Sequence, residues 1–370
     1  MERISDPDAL DCCIVVPTFN ERDNVEPLVE KLRAAAGDMS YEIVFVDDNS
    51  PDGTADLVKS MGRTDRRIRC IRRVGRRGLS SAVIEGALST SADHVAVIDA
   101  DMQHDETLIP KMIRELRDGA ADVVVGSRYV EGGGTGTWDQ SRVSMSKLAT
   151  RVSRLVVRAD LTDPMSGFFA VRRDVFERIA PRLSGEGFKI LLDLFASSPT
   201  RLAFRELPYE FRDRVHGESK LDSLVLWEYA ALLLDKMVGH IVPARFVMFA
   251  AIGFIGVFVH MLTLWVALTL WDMRFLVAQG VATIFAMTSN FFLNNVLTYR
   301  DQRLKGLSFF TGLLSFYAVC SLGVIGNVGV ANFLFENQNS SWWLSGLAGT
   351  LVGVVWNYAA SSIFTWRMKP

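Results

Sequence analysis

Two carboxylates stand one residue apart directly after a hydrophobic run. Residues 95–98 are apolar and predict a buried strand, and Asp99 and Asp101 follow it. In an extended chain, residues i and i+2 point the same way, so the two carboxylates are expected to converge on one point. Such oxygen ligands suit Mg²⁺ or Mn²⁺, which share them with the phosphates of a substrate. The chemistry indicated is a metal that holds a nucleotide diphosphate while the diphosphate leaves.

Further polar clusters follow two other predicted strands. Strands are expected at 13–17, 42–47, 68–72 and 95–98, alternating with helices at 25–36, 55–61 and 80–89. This alternation predicts an α/β domain with a mostly parallel sheet, in which ligands bind at the carboxyl ends of the strands. Polar residues at 18–21 and 47–50 come where that rule expects them. Asp, Asn and Ser are also typical of turns and helix caps, which is the alternative interpretation of 47–50.

The second half of the chain is dominated by four long apolar stretches, at 245–271, 275–296, 307–335 and 342–364. Each reaches the roughly 20 residues that a helix needs to cross a bilayer, so four transmembrane helices are predicted. Glycines within them suit close helix packing in lipid. The predicted organisation is a soluble domain at 1–221, a linker at 222–242 and a membrane domain at 243–370.

Charges around the apolar stretches predict the orientation of the membrane domain. Basic residues precede the first stretch, lie between the second and third, and follow the fourth, whereas the other two loops hold one basic residue between them. The positive-inside rule then places the soluble domain and the C-terminus in the cytoplasm. The linker at 222–242 predicts an amphipathic helix on the membrane surface. A helix packed on the soluble domain is the alternative.

The overall composition narrows the class of protein further. A net charge of −2 over 370 residues argues against a general nucleic-acid binder. Four cysteines have no metal-ligand spacing and indicate ordinary packing roles. The chain has no P-loop and no strand-linked G-x-G-x-x-G, so neither of those nucleotide sites is expected.

Seven short motifs, in their order along the chain, closely resemble the family 2 glycosyltransferases, specifically the dolichol-phosphate mannosyltransferase branch. They are PTFNE at 17–21, VDDNS at 46–50, GL at 78–79, DADMQH at 99–104, GSRY at 126–129, DPMSGFF at 163–169 and RVHGESK at 214–220. The membrane half is similar to the GtrA-like four-helix domain. The resemblance implies a GT-A type, Rossmann-like, mostly parallel sheet flanked by helices, followed by an all-α transmembrane domain with four helices.

The resemblance also implies roles for individual residues. Positions that cradle the nucleoside of the donor are matched by Pro17, Phe19, Glu21, Val46 and Asp48. The diphosphate and metal site is matched by Asp99, Ala100 and Asp101, and the implied metal ligands are Asp99, Asp101 and Gln103. Basic residues around the phosphates are matched by Arg128, Lys189, Arg214 and Lys220, and a pair that holds the acceptor phosphate by Arg142 and Ser146. The implied catalytic residues are Asp101, Arg128 and Arg214.

Two positions depart from the pattern of the family. Phe19 stands where many members have tyrosine, so stacking on a base is retained and any hydroxyl contact is lost. Ser80 replaces a usual glycine after Gly78-Leu79.

A run of seven arginines at 66–77 has two interpretations, a surface for anionic lipid headgroups or a solvated face, with Arg77 expected nearest the donor.

These residue types fit transfer of a sugar to a phosphate. The acceptor oxygen is already anionic at pH 7, so little general base is needed. The barrier lies in bringing two anions together and in the charge of the departing diphosphate, which cations and a divalent metal stabilise. Arginine supplies paired hydrogen bonds to phosphate, and lysine a point charge.

The sequence is therefore interpreted as a membrane-anchored, metal-dependent, inverting glycosyltransferase. It is expected to move mannose from GDP-mannose to dolichyl or polyprenyl phosphate on the cytoplasmic membrane face. UDP-glucose is the alternative donor, since no residue fixes the base or the hexose. A processive polysaccharide synthase is disfavoured because no Q-x-x-R-W motif is present, and a flippase for lipid-linked sugars is disfavoured by the intact metal motif.

Overall fold

The computed structural model describes residues 10–136, 159–185, 187, 189–212, 243–337 and 342–366. The chain divides into two compact units, Met1–Met237 and Val238–Pro370. The linker helix predicted at 222–242 lies outside the described residues.

The first unit is built on one seven-stranded sheet with helices on both faces. Its strands are β1 (Cys12–Thr18), β2 (Tyr41–Asp47), β3 (Ile68–Arg72), β4 (His94–Val97), β5 (Val123–Ser127), β6 (Phe169–Arg172) and β7 (Phe204–Pro208). Its helices are α1 (Arg22–Ala36), α2 (Thr54–Thr64), α3 (Leu79–Leu88), α4 (Ile109–Arg117), α5 (Arg173–Ile179) and α6 (Ile190–Ser197). The sheet order is β3-β2-β1-β4-β6-β5-β7, and β6 runs antiparallel to both neighbours. The predicted GT-A type, mostly parallel sheet is confirmed.

Successive residues of the central strands enter two separate cores. In β1, Cys13 and Val15 pack under α3, α5 and α6, whereas Ile14 and Val16 pack under α1, α2 and α4. All of β2 is buried as well. Parallel strands covered on both faces have no solvent side, which explains why they appear in the sequence as continuous apolar runs.

The strand order brings the predicted polar loops to one edge of the sheet. β1 pairs with β2 on one side, with Thr18 opposite Asp47, and with β4 on the other. The chain moves outward from β1 to β3 and then returns to place β4 on the opposite side of β1. The loops after β1, β2 and β4 therefore open at this switch point, where doubly wound sheets bind their ligands.

The described part of the second unit contains four long helices, α7 (Ala244–Thr269), α8 (Phe275–Leu293), α9 (Leu307–Asn337) and α10 (Trp342–Ala360). Each carries a stretch that is long and apolar enough to cross a membrane, so the four predicted spans are confirmed. Both α8 and α10 end in a π-helical turn, at Asn294–Thr298 and Ser361–Thr365.

The hairpins α7–α8 and α9–α10 repeat one packing contact. Gly256 of α7 lies against Asn290 of α8, and Gly323 of α9 lies against Asn357 of α10. A Cβ on either glycine would collide with the asparagine amide. The separation from Gly256 to Gly323 along the chain equals the separation from Asn290 to Asn357, so the two hairpins repeat one arrangement. Close approach at glycine is the usual way in which helices pack in lipid.

A reciprocal set of contacts, which we call the hairpin latch, joins the two hairpins. The rings of Tyr299 and Trp366 stack with their centres 4.1 Å apart. The Tyr299 hydroxyl shares a hydrogen bond with the Ser362 hydroxyl at 2.7 Å, and Trp366 Nε1 donates to Asn295 Oδ1 at 3.1 Å. Asn295 and Ser362 hold equivalent places in the two π-helical turns. The latch gives these buried polar groups protein partners, as a bilayer requires.

Candidate active site

A buried carboxylate ties the loop after β1 to the loop after β2. Asp47 accepts hydrogen bonds from the backbone N–H and the hydroxyl of Ser50, at 2.9 and 2.5 Å. The Thr18 hydroxyl donates to the same carboxylate at 3.4 Å, and the Asn20 backbone N–H donates to the Ser50 hydroxyl at 2.9 Å. Asn20 adopts a φ of 57°, which asparagine tolerates better than most residues. Asp47 and Ser50 therefore form the turn that the alternative interpretation of 47–50 described.

Asp48 instead contacts a third loop through an arginine that sequence reasoning did not assign to the site. Arg73 Nη1 donates to Asp48 Oδ1 at 2.8 Å, and the Gly78 backbone N–H donates to Oδ2 at 2.8 Å. The guanidinium of Arg73 is 1% exposed, donates to the Ser81 hydroxyl and lies 3.2 Å from Glu85. Burial raises the pKa of Asp48, and the Gly78 N–H and Arg73 oppose that shift. Asp48 thus fixes the segment between β3 and α3 beside the site.

The positions matched to the donor nucleoside differ in what they offer to a ligand. Pro17 and Val46 are paired in the sheet, and the Val46 side chain is fully buried in the core, so Val46 offers no side-chain contact to a nucleoside. Phe19 is half-buried, and the guanidinium of Arg77 lies 4.4 Å from the centre of its ring. Glu21 accepts a hydrogen bond from Asn24 at 2.7 Å. The Phe19–Arg77 stack is the flat surface in this group.

The arginine run at 66–77 is divided among several roles. Arg73 is buried beneath Asp48, and Arg77 lies on Phe19. Surface partners are found for four others, in the pairs Arg67–Asp65, Arg69–Glu42, Arg72–Asn49 and Arg76–Glu85. The run is therefore not one continuous face.

Asp99 and Asp101 lie in the turn after β4 and not on the strand itself. β4 ends at Val97, so the expectation that strand geometry aligns the two carboxylates is wrong. Asp101 is 7% exposed and accepts a hydrogen bond from the Gln103 backbone N–H at 3.2 Å. Gln103 Nε2 donates to the backbone carbonyl of Arg212 at 3.1 Å, which turns the amide oxygen away from that carbonyl. Turn geometry therefore sets the directions of these oxygen atoms.

A buried histidine orients Asp99. His104 Nε2 lies 3.2 Å from Asp99 Oδ2, and His104 Nδ1 lies 2.9 Å from the Tyr209 hydroxyl. A proton on Nε2 donates to the carboxylate and leaves Nδ1 to accept from the tyrosine. Phe168 stacks on the imidazole at 5.3 Å, and a Cβ on Gly167 would lie 2.9 Å from Asp99 Oδ2. Tyr209 follows β7, far along the chain from Asp99, so no local spacing could have identified it.

Arg128 is committed to a buried ion pair. Its Nε and Nη2 donate to the two carboxylate oxygens of Asp163 at 2.7 and 2.8 Å. Burial disfavours the charged guanidinium, but the hydrogen bonds and charge of Asp163 outweigh it, so the pKa of Arg128 lies above its ordinary value. Asp163 is in turn held through its backbone N–H by Glu206 at 3.2 Å. Because of this pairing, Arg128 brings less net positive charge than a lone arginine.

Lys189 lies half-buried immediately before α6, within the electrostatic reach of the same groups. Burial and then repulsion from Arg128 lower the pKa of its amine to about 8, while Asp163 and Asp99 oppose the shift. The structure therefore brings Lys189, Arg128 and Asp99 into one neighbourhood.

Four of the matched residues, Arg142, Ser146, Arg214 and Lys220, lie outside the described residues. Within the described ranges, no three side chains of the His, Cys, Asp or Glu type cluster as metal ligands.

Comparison with known proteins places the chain in a family. The profile of glycosyl transferase family 2 matches residues 13–180, and that of the GtrA/DPMS transmembrane domain matches residues 248–366. A dolichol-phosphate mannosyltransferase of Pyrococcus furiosus is 34% identical over 357 residues, which cover 95% of this chain and 98% of the relative. The chain belongs to the dolichol-phosphate mannosyltransferase family. It is a glycosyltransferase and a multi-pass membrane protein.

A second relative in this family aligns over less of the chain. A dolichol-phosphate mannosyltransferase of Saccharomyces cerevisiae is 35% identical over 239 residues, which cover 62% of this chain and 88% of the relative. Among solved structures, glucosyl-3-phosphoglycerate synthase from Mycobacterium tuberculosis aligns with a TM-score of 0.47 and 21% identity, over 61% of this chain and 80% of that chain.

Proposed function

We propose that this chain transfers mannose from GDP-mannose to a polyprenyl phosphate such as dolichyl phosphate. The observation that carries the proposal is the similarity over nearly the full length to a Pyrococcus furiosus protein named dolichol-phosphate mannosyltransferase. A phosphate oxygen of the acceptor attacks the anomeric carbon, and the bond from that carbon to the diphosphate breaks. GDP leaves from the opposite face, so the configuration of the sugar inverts.

A divalent metal, Mg²⁺ or Mn²⁺, fits the donor set of the turn after β4. Asp99, Asp101 and the amide oxygen of Gln103 are the hard oxygen ligands that both ions prefer. The anchoring of Gln103 Nε2 on the Arg212 carbonyl leaves the oxygen as the end of that amide that can face an ion. Such an ion, when bound, supplies positive charge to the departing diphosphate.

The remaining residues are assigned by their chemistry to three tasks. Phe19 with Arg77 offers a stacking surface for the base, beside Asp48. Arg128 and Lys189, with Arg214 and Lys220, neutralise phosphates, which is the main requirement because the acceptor is itself anionic. Arg142 and Ser146 hold the acceptor phosphate.

The reaction is proposed to occur on the cytoplasmic face of the membrane. Basic residues lie before and at the start of α7, between α8 and α9, and after the fourth span, and the positive-inside rule assigns these positions to the cytoplasm. Cysteine substitution at Arg300 and at Asp272, tested with a membrane-impermeant maleimide in sealed vesicles, checks this orientation. The two sites must label from opposite sides.

A donor screen tests the proposed reaction. Full-length protein in nanodiscs is given Mn²⁺, a polyprenyl phosphate and one of three radiolabelled donors, GDP-mannose, GDP-glucose or UDP-glucose. GDP-glucose separates recognition of the base from recognition of the hexose. The proposal predicts efficient label transfer to lipid from GDP-mannose alone. Preferred transfer from UDP-glucose would replace it with the glucosyltransferase alternative.

A further inference from the structure

The loop between α8 and α9 is held in place from inside the second unit. Asn295 Oδ1 accepts the backbone N–H of Leu304 at 2.8 Å, and Asn295 Nδ2 donates to the Leu304 carbonyl at 3.1 Å. The Leu304 side chain fits against Gly312, where a Cβ would collide with it, and contacts the buried cluster around Phe291. Asn295 is 1% exposed and also belongs to the hairpin latch. Both the backbone and the side chain of Leu304 are thus fixed.

This anchoring sets the direction of the two flanking cations. Arg303 and Lys305 are the neighbours of Leu304 in the chain, so fixing the backbone and side chain of Leu304 restricts where these two cations can lie. Arg303 and Lys305 are both exposed, and both line one cleft of about 320 Å³. We call it the basic cleft.

Aromatic rings form the rest of the basic cleft. Phe292, Phe309 and Phe310 line it, and Phe292 and Phe310 are 51% and 64% exposed. Phe309 is fixed between Phe291 and Phe310, with ring centres 5.1 and 5.6 Å apart. Two cations therefore lie beside exposed aromatic side chains on a unit that spans a membrane. An anionic amphiphile has the matching distribution of charge and hydrocarbon.

We infer that the basic cleft binds the headgroup of an anionic glycerophospholipid, with the phosphate at Arg303 and Lys305 and the start of an acyl chain on Phe292 and Phe310. The volume is at the small end of ligand sites and suits a headgroup. Exposed cations near the membrane surface each add only modest affinity. A site of that strength is filled by an abundant bilayer lipid and not by a trace lipid such as the acceptor. The inference does not depend on the donor or on the reaction.

Lipid binding to the full chain tests this site. Native mass spectrometry of detergent-purified protein, titrated with phosphatidylglycerol, gives the affinity for the first bound lipid. The double variant Arg303→Gln/Lys305→Gln is expected to bind roughly 25-fold more weakly, about fivefold for each cation. Arg300→Gln is the matched control, because Arg300 is an exposed cation of the same loop that does not line the cleft. Phe310→Ala removes one of the exposed aromatic side chains without changing charge and is expected to weaken binding severalfold.

The outcomes separate the inference from its rivals. Equal loss in Arg300→Gln and the double variant would show diffuse loop charge and overturn a specific site. Equal affinity for phosphatidylcholine would also overturn it. Displacement of phosphatidylglycerol by equimolar farnesyl phosphate would assign the cleft to the acceptor class instead. All variants change exposed side chains, and thermal unfolding equal to that of the unmodified chain verifies that each is folded.

Discussion

Buried polar residues differ in kind between the two units of this chain. The first unit buries full charges, such as Arg73 beside Asp48 and Arg128 beside Asp163. The described part of the second unit buries amides and hydroxyls, among them Asn295 and Ser362, and no charged side chain. The ionic groups lie in and beneath the loops at the carboxyl ends of the sheet strands, whereas the neutral groups lie between helices that are long and apolar enough to cross a membrane.

This difference indicates where chemistry takes place. A charge in the bilayer core costs several kcal/mol, so a membrane domain that only holds helices together avoids it. A buried ion pair adds little stability by itself, yet it holds charged groups in fixed places. The first unit buries charged groups at Arg73 and Arg128, and these two residues support the loops of the site. The second unit uses its polar groups to join two copies of a hairpin.

Loss of one carboxylate in the turn after β4 is expected to have the largest effect. Asp101→Asn removes a charge and a metal ligand, so the rate of transfer should fall at least about 100-fold while thermal unfolding is unchanged. EDTA should mimic it. Asp56→Asn, on the exposed face of α2, is the control and should keep full activity. Full transfer in metal-free buffer would refute the metal assignment.

Breaking the Arg128–Asp163 pair is expected to have the largest effect on stability. Arg128→Ala leaves Asp163 charged, fully buried and without its guanidinium, which costs about 3–5 kcal/mol. Arg172→Ala breaks surface pairs with Asp174 and Asp122 and should cost about 0–1 kcal/mol. Pulse proteolysis of the full chain in urea measures both. Equal shifts in the two variants would contradict the contrast between buried and surface charges.

The His104–Tyr209 arrangement is expected to act on metal affinity rather than on rate at saturation. Tyr209→Phe removes the hydroxyl that fixes His104, and partners of metal ligands typically contribute 10- to 100-fold in affinity. The Mn²⁺ concentration for half-maximal transfer should rise about tenfold, with kcat restored at saturating Mn²⁺. Tyr41→Phe, a buried tyrosine of β2, serves as the control. A fall in kcat that Mn²⁺ does not restore would argue against this role.

In the second unit, substitution of a glycine at a helix contact is expected to lower stability and to leave activity unchanged. Gly323→Ala adds a Cβ that collides with Asn357, so the unit should lose about 1–3 kcal/mol of stability. Gly253→Ala meets nothing within 4 Å and should be neutral or slightly stabilising. Thermal unfolding in detergent separates the two. Transfer to a short soluble acceptor should be the same in both, and a selective loss in Gly323→Ala would show that the hairpins contribute to catalysis.

The pH dependence conferred by Lys189 is expected to be the smallest effect. Its amine, with a pKa of about 8, is protonated at pH 7 and loses its charge as the pH rises. The kcat/KM for the donor should therefore fall severalfold through pH 8. Lys189→Arg keeps the charge and should remove this alkaline limb, whereas Lys111→Arg, on the exposed face of α4, should leave it. An unchanged profile in Lys189→Arg would separate Lys189 from the phosphates.

Local patterns were enough to predict the four long helices of the second unit and the first half of the sheet in the first unit, whereas β5 to β7 and α4 to α6 were not predicted. Continuous apolar runs identified β1 to β4 to within a few residues, because both faces of the sheet are covered, and the helical segments between these runs identified α1 to α3. The four spans followed from the length and apolar composition of the stretches. Contacts between distant segments were not predictable from spacing. Arg73 was one member of an arginine run until the fold placed it under Asp48, and the π-helical turns that carry the hairpin latch resemble ordinary helix ends.

The most direct test of the central claim, that the chemistry belongs to the first unit, compares the full chain with a chain that ends at residue 240. Residue 240 lies just after the boundary between the two compact units. Calorimetry with GDP-mannose and Mn²⁺, and transfer to farnesyl phosphate, are measured on both. We predict equal donor affinity and similar kcat, with a loss of efficiency only for long-chain acceptor in bilayers, where anchoring raises the effective concentration of the site. A folded truncated chain that fails to bind GDP-mannose would contradict the claim.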